Sequence, residues 1–189
     1  MDPKSFEPSD KNKDPSKDIE GVVVTKYKPS HALPGQRVAY DKAPPYGGKH
    51  DPYWADCSGT VYTEAVRNEN MVHALEHGAV WVAYDPARVS GGALRALAAK
   101  VEGQPYLMLS PYPELDVPVS VQSWGHQLKL PRPDDPRVDQ FIAALRANPY
   151  TTPESGAPCG TNPESFDVDN PPPYDPSPPG PDAAPVQGP

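Results

Sequence analysis

The chain has only 2 Cys, 3 Met, 3 Trp and 3 Phe in 189 residues, and it contains no run of eighteen apolar residues. The missing run excludes a membrane-spanning helix from this sequence. The opening residues alternate Lys with Asp and Glu, which is unlike a signal peptide. Basic residues are in the minority, 17 Lys and Arg against 25 Asp and Glu, for a net charge of −8. A surface that reads phosphates needs clustered Lys and Arg, so broad nucleic-acid binding is excluded. Gly47-Gly48 is not followed by Gly-Lys-Ser or Gly-Lys-Thr and forms no phosphate loop. Ser58, Ser110 and Ser123 lack the surroundings of a nucleophile elbow. There is no internal repeat.

What is abundant is proline, 29 residues. So much Pro cannot sit inside continuous helices or strands, and it divides the chain into parts. Residues 1–18 are charged and nearly free of apolar side chains, and read as a flexible linker. Residues 161–189 are Pro-rich, with Pro171-Pro172-Pro173 and Pro178-Pro179, and read as a disordered tail. The globular domain is expected over 19–160, long enough for one hydrophobic core.

Within that domain Gly21 to Lys28 reads as a strand and 29–66 as a long loop rich in Pro, Gly and aromatics. Asn68 is placed to cap a helix through Met71 to His77, with Gly78 just past its end. Ala79 to Tyr84 follows as a buried strand. Ser90 is placed to cap a second helix, on which Leu94, Leu97, Ala98 and Val101 share a face. Tyr106 to Ser110, Val119 to Trp124 and Gln127 to Leu130 read as strands, and a last helix starts near Asp135. The expected fold is α+β, a small and mainly antiparallel sheet packed by two or three helices, with long Pro/Gly-rich loops.

The chemistry gathers around histidine. His73 and His77 stand at i and i+4 on one helical turn, a spacing that can bind a single metal ion. His50, after Gly47-Gly48, can join as a third ligand. His126 and the thioethers of Met71 and Met108 are further candidates, and a thioether would favour Cu(I). The plain alternative is that these histidines only make hydrogen bonds at a sheet edge. His73 to His77 also spells His-x-x-Glu-His, in which Glu76 would be the general base of a zinc hydrolase, with His50, Asp51 or Glu64 as the distal ligand. A domain of this size leaves little room for a protease chamber, and Glu76 is equally suited to orienting a histidine ring. Cys57 and Cys159 are in no zinc-type spacing and read as a disulfide, which implies an oxidising compartment. Two separate thiols, or Cys57 as a metal ligand, are the alternatives.

Pro44-Pro45-Tyr46-Gly47-Gly48-Lys49-His50, Trp54-Ala55-Asp56-Cys57, Val72 to Val80 and Ser110-Pro111-Tyr112 together resemble the bacterial family called domain of unknown function 3105. The resemblance covers Gly21 to Cys159, and the family's signature falls on His50, Cys57, His73, Glu76, His77 and Cys159. It implies a domain held outside the membrane by a single helix, an anchor that this sequence lacks.

The expectation is therefore an extracytoplasmic metal-binding domain of the cell envelope. Its ligands are His50, His73, His77, Met108 and His126, with Glu76 orienting a ring and copper ahead of zinc as the ion. Its partners would be the metal ion and an envelope protein, with no nucleic acid. A structural or interaction module and a small zinc hydrolase are the competing readings.

Overall fold

The computed structural model describes residues 1–187. Among them are strands β1 (Val23–Val24), β2 (Ser30–His31), β3 (Val38–Ala39), β4 (Lys49–His50), β5 (Ser58–Val61), β6 (Val80–Tyr84), β7 (Leu107–Pro111), β8 (Val119–Ser123), β9 (His126–Leu130) and β10 (Ala184–Pro185). The helices are α1 (Asn68–Glu76), α2 (Gly91–Val101) and α3 (Arg137–Leu145). The central sheet has the order β1-β9-β8-β6-β7-β5. From β1 to β6 the neighbours are antiparallel, and β7 pairs in parallel with both β6 and β5. The fold is α+β as expected, with a mixed sheet because α2 carries the chain from β6 back to a parallel β7.

The strand alternation sorts the core into two layers. Val80, Val82, Leu107, Leu109, Val119 and Val121 face α2 and α3, where Leu97, Val101, Phe141 and Leu145 meet them. Trp81, Ala83 and Met108 point to the opposite face and pack with Met71, Val72 and Leu75 of α1 and with Tyr46, Cys57 and Cys159. That second layer carries the loop 29–66, so the aromatic and Pro-rich loop rests on α1.

Three local expectations change. Asn68 is the first residue of α1 rather than its cap, since Arg67 holds the cap position and no side chain caps it. The strand at 21–28 shrinks to Val23–Val24, an exposed edge on β9, because its flanks turn away at Gly21 and after Thr25 toward the loop. The segments 1–18 and 161–187 lie against the domain instead of hanging free, and the last two residues of the expected tail lie outside the described residues. Isolated anchors do what a hydrophobic run would otherwise do: Phe6 is buried in the α3 layer and Phe166 in the α1 layer. Asp14 bonds His126, and β10 pairs in parallel with β3. Arg37 adds hydrogen bonds to Asp175, Ser177 and Pro178. Replacing Phe6 by Ala is accordingly expected to lower stability by about 3 kcal/mol; a urea midpoint equal to that of the wild type would show that the Phe6 anchor contributes nothing.

Candidate metal centre

Two secondary-structure pairings assemble the centre. β2 and β4 pair in parallel with His31 opposite His50, which sets two imidazoles side by side. Helix α1 packs across β4 and presents His73 and Glu76 from successive positions of one face. The loop before β4 needs its glycines: Gly48 has φ +93°, and a Cβ there would meet Val186 O at 2.5 Å. That turn brings the Gly48 carbonyl back onto the His50 ring.

Ligand atoms of His31, His50, His73 and Glu76 lie within 4.8 Å of one another. Donors held about 2.1 Å from one tetrahedral ion stand roughly 3.4 Å apart, a distance that the His50 Nε2–Glu76 Oε2 and His73 Nε2–Glu76 Oε2 separations of 2.9 and 3.7 Å bracket. The ring centroids are 5.1 Å apart for His31 and His50, and 4.7 Å for His50 and His73. His50, His73 and Glu76 are buried, whereas His31 is exposed.

Backbone carbonyls set the tautomers. A carbonyl oxygen only accepts, so His50 Nδ1 donates to Gly48 O at 2.8 Å and His73 Nδ1 donates to Asp51 O at 2.6 Å. Each neutral ring then carries its lone pair on Nε2, the state a metal ion requires. The Asp51 carboxylate accepts from Arg67 Nη1 at 2.7 Å and from Gly35 N at 2.8 Å, which locks the loop beyond His31 to the start of α1.

His50 Nε2 stands 2.9 Å from Glu76 Oε2, and His73 Nε2 stands 3.7 Å from the same oxygen. Despite the short approach, His50 Nε2 and Glu76 Oε2 are buried and make no hydrogen bond among the described residues. With Nδ1 donating to Gly48 O, a neutral His50 ring has no proton on Nε2 to offer Glu76, so the close approach is favourable only when a cation, a proton on His50 or a metal ion, lies between the two atoms.

Burial, with electrostatic repulsion from the neighbouring His50 position adding to it, pushes the His73 pKa down to about 4. Burial acts to raise the Glu76 carboxyl, but its interactions with His50 and His73 outweigh that and hold it below the usual range. Between pH 4 and 6.5 the unfolded chain binds a proton at His73 that the folded chain refuses. The His73 contribution to stability is therefore complete above pH 6.5 and is lost as pH falls through 4, and Glu76 acts in the same direction below its ordinary pKa. Metal-free protein should show a urea midpoint that climbs from pH 4 to 6.5, and His73→Gln should flatten that climb; a flat wild-type profile would contradict the assignment.

Of the residues singled out in the sequence, His50, His73 and Glu76 come together here. His77 lies next to the cluster: its Nδ1 donates to Pro158 O at 2.7 Å, and with His73 and Glu154 it forms a second group of potential ligands. His126 is spent elsewhere, with Nδ1 on Trp124 O at 2.6 Å and Nε2 on Asp14 at 3.1 Å. Met108 is fully buried in the layer of Trp81 and Met71, as an in-register neighbour of Trp81 on β6. The sequence reading missed His31 and Glu154. No local pattern marks either one, since His31 reaches His50 only through the β2-β4 pairing and Glu154 reaches His77 only through the fold of the C-terminal segment.

Cys57 and Cys159 form the expected disulfide, 102 residues apart in the chain, with Cα atoms 4.7 Å apart. It ties the 154–159 segment to the second group, and Trp54 Nε1 donates to Cys159 O at 3.2 Å. A disulfide suggests a compartment other than the cytoplasm. Among the described residues no helix is long and apolar enough to cross a membrane.

No curated protein and no solved structure matches the chain. A family model described as "Protein of unknown function (DUF3105)" matches residues 31–161, a span that runs from His31 through β4, α1 and the disulfide. The chain belongs to that family.

Proposed function

We propose that this domain binds one divalent transition-metal ion through His31, His50, His73 and Glu76, and that it handles metal outside the cytoplasm in the cell envelope. The observation that carries the reading is the buried 2.9 Å approach of His50 Nε2 to Glu76 Oε2, beside His73 Nε2 and His31, with no other partner for either atom among the described residues. Three imidazoles and a carboxylate contain no soft sulfur, so the donor set favours copper(II) or zinc(II) over Cu(I). Copper(II) stands above zinc(II) in the Irving–Williams order and should be held more tightly.

An exposed His31 on a two-residue strand can leave and return without disturbing the buried ligands, which suits loading and delivery better than a permanently closed structural site. Delivery implies a protein partner in the envelope. A hydrolase reading needs Glu76 to be free as a base, and its position among the prospective ligands speaks against that role.

The test is dialysis against copper(II) and zinc(II), followed by elemental analysis of the wild type and of the His50→Ala/His73→Ala double variant. One equivalent kept by the wild type and lost by the variant supports the proposal. Equal metal in both would overturn it, and the domain would then be pursued as a structural or interaction module.

A further inference from the structure

The imidazole cluster does not end at His73. His77 crosses the His73 ring nearly at right angles, with centroids 4.7 Å apart, and its Nε2 lies 3.5 Å from Glu154 Oε2. The rings of His31, His50 and His73 form a triangle with centroids 5.1, 5.2 and 4.7 Å apart, and His77 extends it from His73 by 4.7 Å, so that the imidazoles make a short row. His77 itself is buried, while the Glu154 side chain is 53% exposed, so this end of the row opens to solvent through a carboxylate.

His73 belongs to both groups of ligands, yet it has one lone pair to give. Its Nδ1 proton is committed to Asp51 O, which leaves Nε2 alone. His73 can therefore serve one ion at a time, and the two groups cannot both be filled through it. His77 is held in the same tautomer, with Nδ1 on Pro158 O and Nε2 directed at Glu154. Trp54 lies over both rings, 4.8 Å from His77 and 5.5 Å from His73, and covers the step between them.

We propose that His77 and Glu154 form an outer station for the metal ion, from which it passes to the buried centre by exchange of ligands about the shared His73. This rests on the proposed metal centre and adds its route of entry and exit. The exposed carboxylate attracts the hydrated cation, His77 replaces one of its waters, and His73 then hands it from the Glu154 side to His50 and Glu76. No bond other than metal–ligand bonds changes, and released waters return to solvent. A station on the path speeds entry and exit alike, so it alters rates and leaves the equilibrium affinity as it was.

The test is stopped-flow mixing of the whole domain with copper(II) sulfate, read as quenching of tryptophan fluorescence, to which Trp54 beside His73 and His77 and Trp124 beside His50 both report, with extraction by a chelator as the reverse step. Two variants are needed. Glu154→Gln removes the exposed charge, and His77→Asn keeps a donor for Pro158 O but removes Nε2 without changing charge. Both should slow uptake and extraction by about tenfold and keep the wild-type dissociation constant. Wild-type rates in both variants would overturn the station. Slowing in Glu154→Gln alone would overturn it too, since charge attraction without coordination explains that result. A lowered affinity in His77→Asn would make His77 a ligand of the centre itself and would also overturn it. Failure of the wild type to bind copper at all would instead remove the centre on which the station depends.

Discussion

Glu76→Gln should abolish tight binding of copper(II) and zinc(II) while leaving the metal-free fold intact. Glu76 is the only anionic donor in the group that contains His31, His50 and His73. Altering groups that merely orient ligands costs 10 to 100-fold in metal affinity as an order of magnitude, so losing the charged ligand should cost about 100-fold or more. At a free ion concentration about 1,000 times the wild-type dissociation constant, the wild type gains about 4 kcal/mol of stability, and the variant should gain about 1.4 kcal/mol. The metal-free proteins should show no such loss. Gln has almost the volume of Glu, and its amide can donate to His50 Nε2, which otherwise lacks a hydrogen bond among the described residues. The variant should thus unfold at or above the wild-type temperature without metal and below it with metal. Equal thermal shifts in both proteins would remove Glu76 from the centre.

The second large effect concerns the disulfide. Cys57 and Cys159 close a separation of 102 residues, and the chain-entropy model assigns a loop of that size about 4.7 kcal/mol. Set against the 5–15 kcal/mol typical of a domain, that is on the order of a third or more of the total stability. The Cys57→Ser/Cys159→Ser variant should melt about 10–20 °C lower. The loss should not stay global and featureless, because the bond also fixes the carbonyls of Pro158 and Cys159, which hold His77 and Trp54. The tryptophan emission, to which Trp54 contributes, should change in the variant under conditions where circular dichroism still reports a folded chain. A melting temperature within about 2 °C of the wild type would show that the segment after residue 150 is held by its other contacts alone.

Several parts of this arrangement can be read from the sequence, and the parts that cannot share a cause. The helix bearing His73, the strand 80–84 and the helix with Leu94 and Leu97 follow from periodicities that local packing obeys. The His-x-x-Glu-His string marks the helix, but it does not say which of its residues lies beside His50. Positions i+3 and i+4 both lie close to i around a helix, so Glu76 and His77 are equally plausible neighbours of His73. The choice between them is made by β4, which lies against the helix on the Glu76 side and places His50 there. His31 is invisible for a similar reason, since its partnership with His50 depends on a register between two-residue strands in a Pro-rich loop. The ends mislead because Phe6, Phe166 and Ala184 are isolated anchors in segments whose average composition reads as disorder.

The central claim is that a metal ion belongs between His50, His73 and Glu76. Anomalous diffraction at the copper and zinc absorption edges, from crystals of the domain grown with each ion, tests it most directly. The account predicts a single strong peak about 2 Å from His50 Nε2, His73 Nε2 and a Glu76 carboxylate oxygen, with the His31 ring completing the shell. A peak confined to His77 and Glu154, or no peak beside these side chains in crystals that hold metal elsewhere, would contradict it.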